Sequence, residues 1–395
     1  GSHILYDVIN RDEKIFCERV YAPAVDMENM MREKNIPLFA LESREPITNF
    51  DVIAFTLQYE LSYTNILNML ANVPILRTER KLDDPFILVG GPCAYNVEPM
   101  ADFVDIVVLG EGEEVNLEIL NAYKEWKKNK TTREDFLYQI SSIEGVYIPS
   151  FYDVTYNEDN TVKEVVPNRE NIPSKPHKRI IKDVENVPYP EKLIVPFIDT
   201  VHNRVVLELF RGCTRGCRFC QAGMIYRPIR EKSVERLKEI VDKLVKSTGY
   251  DEISLSSLST SDYSKLSELT DYLVDEYASN NIGISLPSLR LDNFSMEIAE
   301  KIQQVRKSGL TFAPEAGTQR LRDVINKGVS EEDLQNATKK AFEMGWNSVK
   351  LYFMIGLPTE TYDDLDGIAK LAYDVIDMYR EVHNGKLKRS FGVTV

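Results

Sequence analysis

Three apolar runs, at residues 51–57, 86–92 and 105–113, set the pattern of the first part of the chain. Their apolar positions are successive rather than alternate, which predicts parallel strands buried on both faces. Helical patterns at 27–33 and 114–128, and one from Ser62 as its N-cap through Leu70, fall among these runs. Residues 14–20 read as a further strand. Strands alternating with helices at these intervals predict an α/β fold with an open, doubly wound, Rossmann-like sheet. Such sheets take ligands at the carboxyl ends of their strands, here the turns near Gln58, Gly90-Gly91-Pro92-Cys93 and Gly110-Glu-Gly-Glu113.

The pattern changes at 143. Residues 145–156 and 161–166, joined by a turn at 157–160, predict a β-hairpin. Six prolines between 167 and 196 then mark a stiff, extended linker. From 204 onward strand signals return six times, at 204–210, 252–256, 282–286, 309–313, 348–354 and 390–395. Helical patterns lie between them, and the one at 233–246 places Val234, Leu237, Val241, Leu244 and Val245 on one face. Parallel repeats of this kind predict a partial TIM-like (β/α)6 barrel, with chemistry at the carboxyl ends of its strands. The expected organisation is an α/β domain over 1–142, a hairpin and proline-rich linker over 143–198, and a barrel domain over 199–395. Residues 4–10 open inside a helical pattern and 391–395 stop inside a strand-like run, as an excerpt of a longer protein lacking its first strand would. Gly1-Ser2-His3 reads as a cloning remnant and is left out of the chemistry.

Charge divides the chain in the same place. The 395 residues carry a formal net charge of −14. Residues 1–200 hold 21 Lys and Arg against 34 Asp and Glu, and residues 201–395 hold 27 against 28. An acidic first half argues against broad DNA binding, because phosphate contacts need Lys and Arg. No apolar run approaches a membrane span and no signal peptide is visible, so a cytoplasmic protein without membrane association is expected. Five cysteines, three of them in one stretch, make no disulfide framework.

That stretch is Arg211-Gly-Cys-Thr-Arg-Gly-Cys-Arg-Phe-Cys-Gln-Ala-Gly223, placed directly after the strand signal at 204–210. Cys213, Cys217 and Cys220 have the spacing C-x3-C-x2-C. Three thiolates in one loop can hold three irons of a 4Fe–4S cluster and leave the fourth open. The competing account is a zinc knuckle, which needs four ligands in paired groups. The remaining cysteines are Cys17 and Cys93, and the nearest histidine is His202.

The motif, including the aromatic Phe219 before the third cysteine, resembles that of the radical SAM superfamily. The resemblance implies that the open iron chelates S-adenosylmethionine, that one electron from the cluster cleaves it to a 5′-deoxyadenosyl radical, and that flavodoxin or ferredoxin supplies the electron. It also implies cofactor contacts at the later strand ends. Ser256 and Ser257 stand where the family usually has Gly-Gly-Glu facing the methionine amine. Ser288 and Arg290 match polar residues at the ribose and carboxylate. Glu315 and Arg322 match a ribose-binding acid and a carboxylate-binding arginine, and the backbone at Met354 and Gly356 matches the adenine contact.

The Gly90-Gly91-Pro92 turn and the string at 104–113 resemble the cobalamin-binding domains that precede many radical SAM cores, where the glycines admit the corrin or its tail. The Asp-x-His-x-x-Gly motif of some such domains is absent. Two readings stay open, cobalamin bound for methyl transfer, or the fold kept and the cofactor lost. Methylthiotransferases pair this core with three further cysteines, which the chain lacks. Arg204, Arg211, Arg215, Arg218, Arg227 and Arg230 crowd the cysteine stretch with Glu208 as the one acid among them. They would offset cluster charge or grip an anionic substrate such as RNA; a small-molecule substrate fits equally. The reading from a different class is a non-catalytic scaffold stabilised by iron–sulfur or metal.

Overall fold

The computed structural model describes residues 1–198, 200–286, 310–388 and 390–395, so Ser288 and Arg290 lie outside the described residues. The chain divides into two compact units. One comprises Gly1–Lys182 and Val187–Pro190, the other Asp183–Asn186 and Glu191–Val395.

In the first unit the three apolar runs are strands β1 (Val52–Thr56), β2 (Phe86–Gly90) and β3 (Ile106–Val108), parallel and side by side in that order. Strand β4 (Val146–Tyr147) adds antiparallel to β3. The order runs one way, without the reversal of a fully doubly wound sheet. The expected hairpin is β5 (Tyr152–Tyr156) with β6 (Val162–Pro167), and it belongs to this unit. Helix Gly112–Asn129 buries Val115, Ile119, Tyr123 and Trp126. Phe86 meets Tyr123, Trp126 and Phe136 at ring-centroid distances of 6.0, 5.8 and 4.8 Å. An aromatic removed from such a cluster costs about 3–5 kcal/mol.

Two local expectations need correction, and one is filled in. Residues 14–20 form no strand, because the backbone donors there go to side chains instead of a ladder. Cys17 N–H donates to Asn10 Oδ1 and Arg19 N–H to Glu42 Oε2, while Phe16 is exposed. Ser62 does occupy the N-cap of helix Tyr63–Met69, but its hydroxyl donates back to the Tyr59 carbonyl and caps nothing. The proline-rich stretch, expected as a stiff, extended linker, is fastened at Arg179. Arg179 exchanges backbone hydrogen bonds with Leu109 and Glu111, and its guanidinium pairs with Glu114 and Glu118. Helix Arg133–Ile140, with a reciprocal Thr132–Asp135 capping box, is an element beyond those expected.

In the second unit all six expected strand positions are strands: β7 (Val205–Glu208), followed by the short ladder of β8 (Phe210–Arg211) and β9 (Arg230–Glu231), then β10 (Glu252–Ser256), β11 (Gly283–Ser285), β12 (Leu310–Glu315), β13 (Ser348–Phe353) and β14 (Gly392–Thr394). Among the described residues they form two three-stranded parallel sheets, β11-β10-β7 and β12-β13-β14, and no closed barrel. Helix Val234–Thr248 starts at Ser233, whose hydroxyl accepts from Arg236 N–H, and stops at Gly249 with φ +69°. It buries Val234, Leu237, Ile240, Val241 and Leu244, a stripe one residue earlier than expected at its far end. Helices Glu331–Glu343 and Tyr362–Val382 cover the other sheet, with Phe342, Leu371, Val375 and Tyr379 packed against Val349 and Leu351.

Candidate functional site

The cysteine loop begins just past β7. Its base is closed by β8 pairing antiparallel with β9, Phe210 opposite Glu231 and Arg211 opposite Arg230. Gly212 turns the chain at φ +102°, and a Cβ there would stand 2.4 Å from the Pro228 carbonyl oxygen. Only glycine fits so close an approach. Cys213, Cys217 and Cys220 come next, all half-buried and none in a disulfide. Cys220 N–H donates to the Cys217 carbonyl at 3.1 Å, and the short helix Ala222–Ile225 ends the loop.

Lys327 links this loop to the end of β12, and a further backbone bond links that end to β13. The Lys327 ammonium sits 5.8 Å over the Phe219 ring and 2.9 Å from Glu315 Oε1. Glu315 ends β12 in the left-handed region, φ +70°, and its carbonyl accepts from Met354 N–H just past β13. Gly356 turns at φ +89° with its N–H on Glu360. Ser256 ends β10 opposite Glu208 of β7. Ser257 shares a hydrogen bond of 3.1 Å with Thr260, and the Ser259 hydroxyl is buried without a protein partner among the described residues. Gly317 and Gly367 pack backbone on backbone, which fixes the loop after β12 against helix Tyr362–Val382. Asp364, 2% exposed, ties the same place together by accepting from Thr318, Arg320 and Thr361. These bonds, that from Thr318 foremost, hold its carboxyl well below the usual range.

Arginines around the loop pair with acids, some of them from outside the local sequence. Arg204 pairs with Glu252 and Arg215 with Asp262, while Arg211 pairs with Glu208. Arg218 and Arg230 donate to the backbone carbonyls of Val324 and Pro228. Beneath the loop Lys232, 2% exposed, donates to Glu208 Oε2 at 2.9 Å. Burial pushes the Glu208 carboxyl up, and the Lys232 and Arg211 charges overcome it, so the group lies below the ordinary glutamate range.

Residues 207–372 match the family model described as Radical SAM superfamily, and residues 1–149 match the one described as Radical SAM proteins, N-terminal. An uncharacterized protein of Methanocaldococcus jannaschii is 33% identical over 355 residues, 89% of this chain and 69% of that protein. The chain belongs to the radical SAM superfamily. Further relatives at 24 to 26% identity carry methyltransferase or methylthiotransferase names. Two solved structures share the fold. The radical SAM methyltransferase TsrM of Kitasatospora setae, with cobalamin and a 4Fe–4S cluster bound, is 13% identical at a TM-score of 0.60, over 94% of this chain and 67% of that one. The cobalamin-dependent radical enzyme OxsB, with aqua-cobalamin and S-adenosylmethionine bound, is 12% identical at 0.61, over all of this chain and 55% of that one.

The donor set fits a radical SAM cluster. Three free thiols lie within about two helical turns' length of chain on a loop preset by Gly212 and by its ladder, and all three keep partial exposure. Among the described residues no three His, Cys, Asp or Glu side chains are placed to hold a single metal ion. Arg322, matched to a carboxylate-binding arginine, is 1% exposed, with Nη1 on the Ala316 carbonyl and Nη2 on Gln319. Lys327 lies beside Phe219 and Glu315, a basic residue that sequence reasoning did not single out. Its signal was a basic residue in the Asn326-Lys-Gly328 turn that carries the chain back from the helix after Glu315.

In the first unit the glycine turns serve the chain itself. Gly91, φ +100°, makes room for Leu57, whose carbonyl oxygen would stand 2.8 Å from a Cβ there; Gly110, φ +104°, does the same for Arg179. Gly90 meets only ordinary contacts with Val108. Cys93 is buried, and burial with Glu60 nearby pushes its thiol up. Just past β1 and β2 the exposed side chains mix polar and apolar: Gln58, Tyr59, Glu60 and Leu61 after β1, and Tyr95 and Asn96 after β2.

Proposed function

We propose that this chain is a radical SAM enzyme in which Cys213, Cys217 and Cys220 hold three irons of a 4Fe–4S cluster and S-adenosylmethionine takes the fourth. The observation that carries the reading is the cysteine loop itself, three unbridged, partly exposed thiols on a glycine-shaped turn past the first strand of a β/α repeat. When bound and reduced by flavodoxin or ferredoxin, the cluster supplies the electron that cleaves the sulfonium and releases a 5′-deoxyadenosyl radical.

The chain's own residues bind and orient the cosubstrate. Lys327 pairs with the methionine carboxylate, since an ammonium forms a charge-assisted bond there. Glu315 accepts from the ribose hydroxyls, and Ser256 with Ser257 accept from the amine. The backbone at Met354 and Gly356 runs along the adenine, and Phe219 shields the loop's outer face. Half-buried Glu208 and Arg211 and buried Lys232 hold the strand end under the loop, so that the ligands start from a fixed base.

Anaerobic reconstitution with iron and sulfide, followed by dithionite and S-adenosylmethionine, tests the proposal. 5′-Deoxyadenosine is expected from the wild type and not from Cys213→Ala. A full cluster without that product would favour the scaffold reading.

A second reading adds cobalamin over the ends of β1, β2 and β3, with methyl transfer as the outcome. Its support is the exposed Tyr59, Leu61 and Tyr95 past β1 and β2, side chains able to pack on a flat ring system among the polar Gln58, Glu60 and Asn96, together with the fold shared with TsrM and OxsB. Corrin absorbance retained after desalting is the expected result, and a colourless protein would contradict it.

A further inference from the structure

Both segments between the ligand cysteines are held by the turn after helix Gln319–Val324, and the first is also held through Arg215 and Asp262. Gly216, between Cys213 and Cys217, offers its carbonyl to Asn326 Nδ2 at 2.9 Å. Arg218, between Cys217 and Cys220, donates its backbone N–H to the Ile325 carbonyl at 2.9 Å and its guanidinium to the Val324 carbonyl. Val324, Ile325 and Asn326 are consecutive, at the end of helix Gln319–Val324 and in the turn after it. Asn326 itself sits at φ +53°, a conformation asparagine tolerates better than most side chains. A Cβ at Gly216 would find Asn326 Nδ2 as its nearest neighbour, at 3.4 Å.

We propose that the turn at 324–327 sets the spacing of the cysteine ligands, with Asn326 and Arg218 as its positioning residues. The inference rests on the cluster assignment above. The base of the loop is fixed by Gly212 and the ladder of β8 with β9, more than a full ligand spacing away from Cys220. Without a second anchor the far end would be ordered only when the cluster forms, and that ordering would weaken its hold. Fixing one carbonyl and one N–H between the thiols removes most of that freedom before metal arrives.

Two substitutions separate this role from mere support of the fold. Asn326→Gly keeps the left-handed backbone and removes the donor. Asn326→Asp keeps shape and backbone preference and turns an oxygen toward the Gly216 carbonyl. Each is made in the full 395-residue chain, reconstituted anaerobically, and followed by iron release to a chelator and by the electron paramagnetic resonance spectrum of the dithionite-reduced cluster. Release about three- to tenfold faster is expected for the glycine variant, the factor one neutral hydrogen bond is worth, and at least as much for the aspartate variant. The resonance positions should shift in both, and the metal-free variants should melt with the wild type. Arg218→Lys, which keeps the charge and the backbone donor, should restore more of the wild-type rate than Arg218→Ala. Wild-type release and spectra in both Asn326 variants would overturn the proposal. So would an equal loss of melting temperature in the metal-free variants, because the turn would then serve the fold. A wild-type chain that takes up no cluster would instead overturn the assignment beneath it, a result visible before any variant is made.

Discussion

Gly91 and Gly212 make nearly the same turn and put a cysteine to opposite uses. Each lies past the end of a buried parallel strand, each has φ near +100°, and each clears a path for a backbone carbonyl, from Leu57 in one case and Pro228 in the other. After Gly91 the residues Pro92–Asn96 coil into a 3-10 turn that folds Cys93 into the core, where burial pushes its thiol up. After Gly212 the ladder of β8 with β9 holds the chain off the core, and three cysteines stay partly exposed. The turn is therefore a common device, and the segment on its carboxyl side decides whether a thiol is packed away or left partly exposed, as the proposed ligands are.

The sharpest way to break this comparison is to exchange the fates of the two cysteines. Cys217→Ala should abolish 5′-deoxyadenosine formation and leave iron near background by metal analysis, whereas Cys93→Ala should leave both unchanged and cost about 1 kcal/mol in denaturant unfolding, the cost of a small cavity. The glycines come next. Gly91→Ala and Gly212→Ala should each destabilise by about 1–3 kcal/mol, from forcing a left-handed backbone and a carbonyl clash, yet only the second should also lower iron uptake.

A smaller effect separates the two basic residues after β12. Lys327→Met should raise the KM for S-adenosylmethionine about tenfold or more at an unchanged melting temperature, as loss of a charge-assisted bond predicts. Arg322→Met should act on stability first, because its donors hold Ala316 and Gln319. The reverse assignment, a KM effect for Arg322 alone, would return the carboxylate to that arginine. Smallest is a pH effect at Glu208. Its carboxyl is held below the ordinary value of 4.5, so its ion pairs stabilise fully above that pH and are lost as the pH falls through the depressed range. Wild type should therefore exceed Glu208→Gln in stability at neutral pH, and the gap should close in acid unfolding curves below about pH 4.

Much of this was legible in the chain because it is local. The strand positions of the second unit follow from apolar runs bounded by turn residues, and the cysteine spacing needs no tertiary knowledge. Thr132 and Asp135 also carry a readable capping signal for the helix they start. What stayed hidden depends on residues far apart in sequence. Glu252 and Asp262 neutralise arginines near the loop from 48 and 47 positions away, so counting charges along the stretch overstates its basicity. Lys327 and Asn326 reach the loop from more than a hundred residues downstream. The glycine at 91 was visible, but its neighbour Leu57, whose backbone lies against it, was not. At 14–20 the apolar residues suggest a strand, and only the structure shows Asn10 and Glu42 claiming its donors.

The central claim is an iron left open to S-adenosylmethionine by three cysteines. Electron paramagnetic resonance of the reconstituted, dithionite-reduced protein, recorded without and with S-adenosylmethionine, tests it most directly. A reduced 4Fe–4S signal that shifts when S-adenosylmethionine is added is the predicted result. A signal indifferent to the cosubstrate, or metal analysis that finds zinc in place of iron, would contradict it.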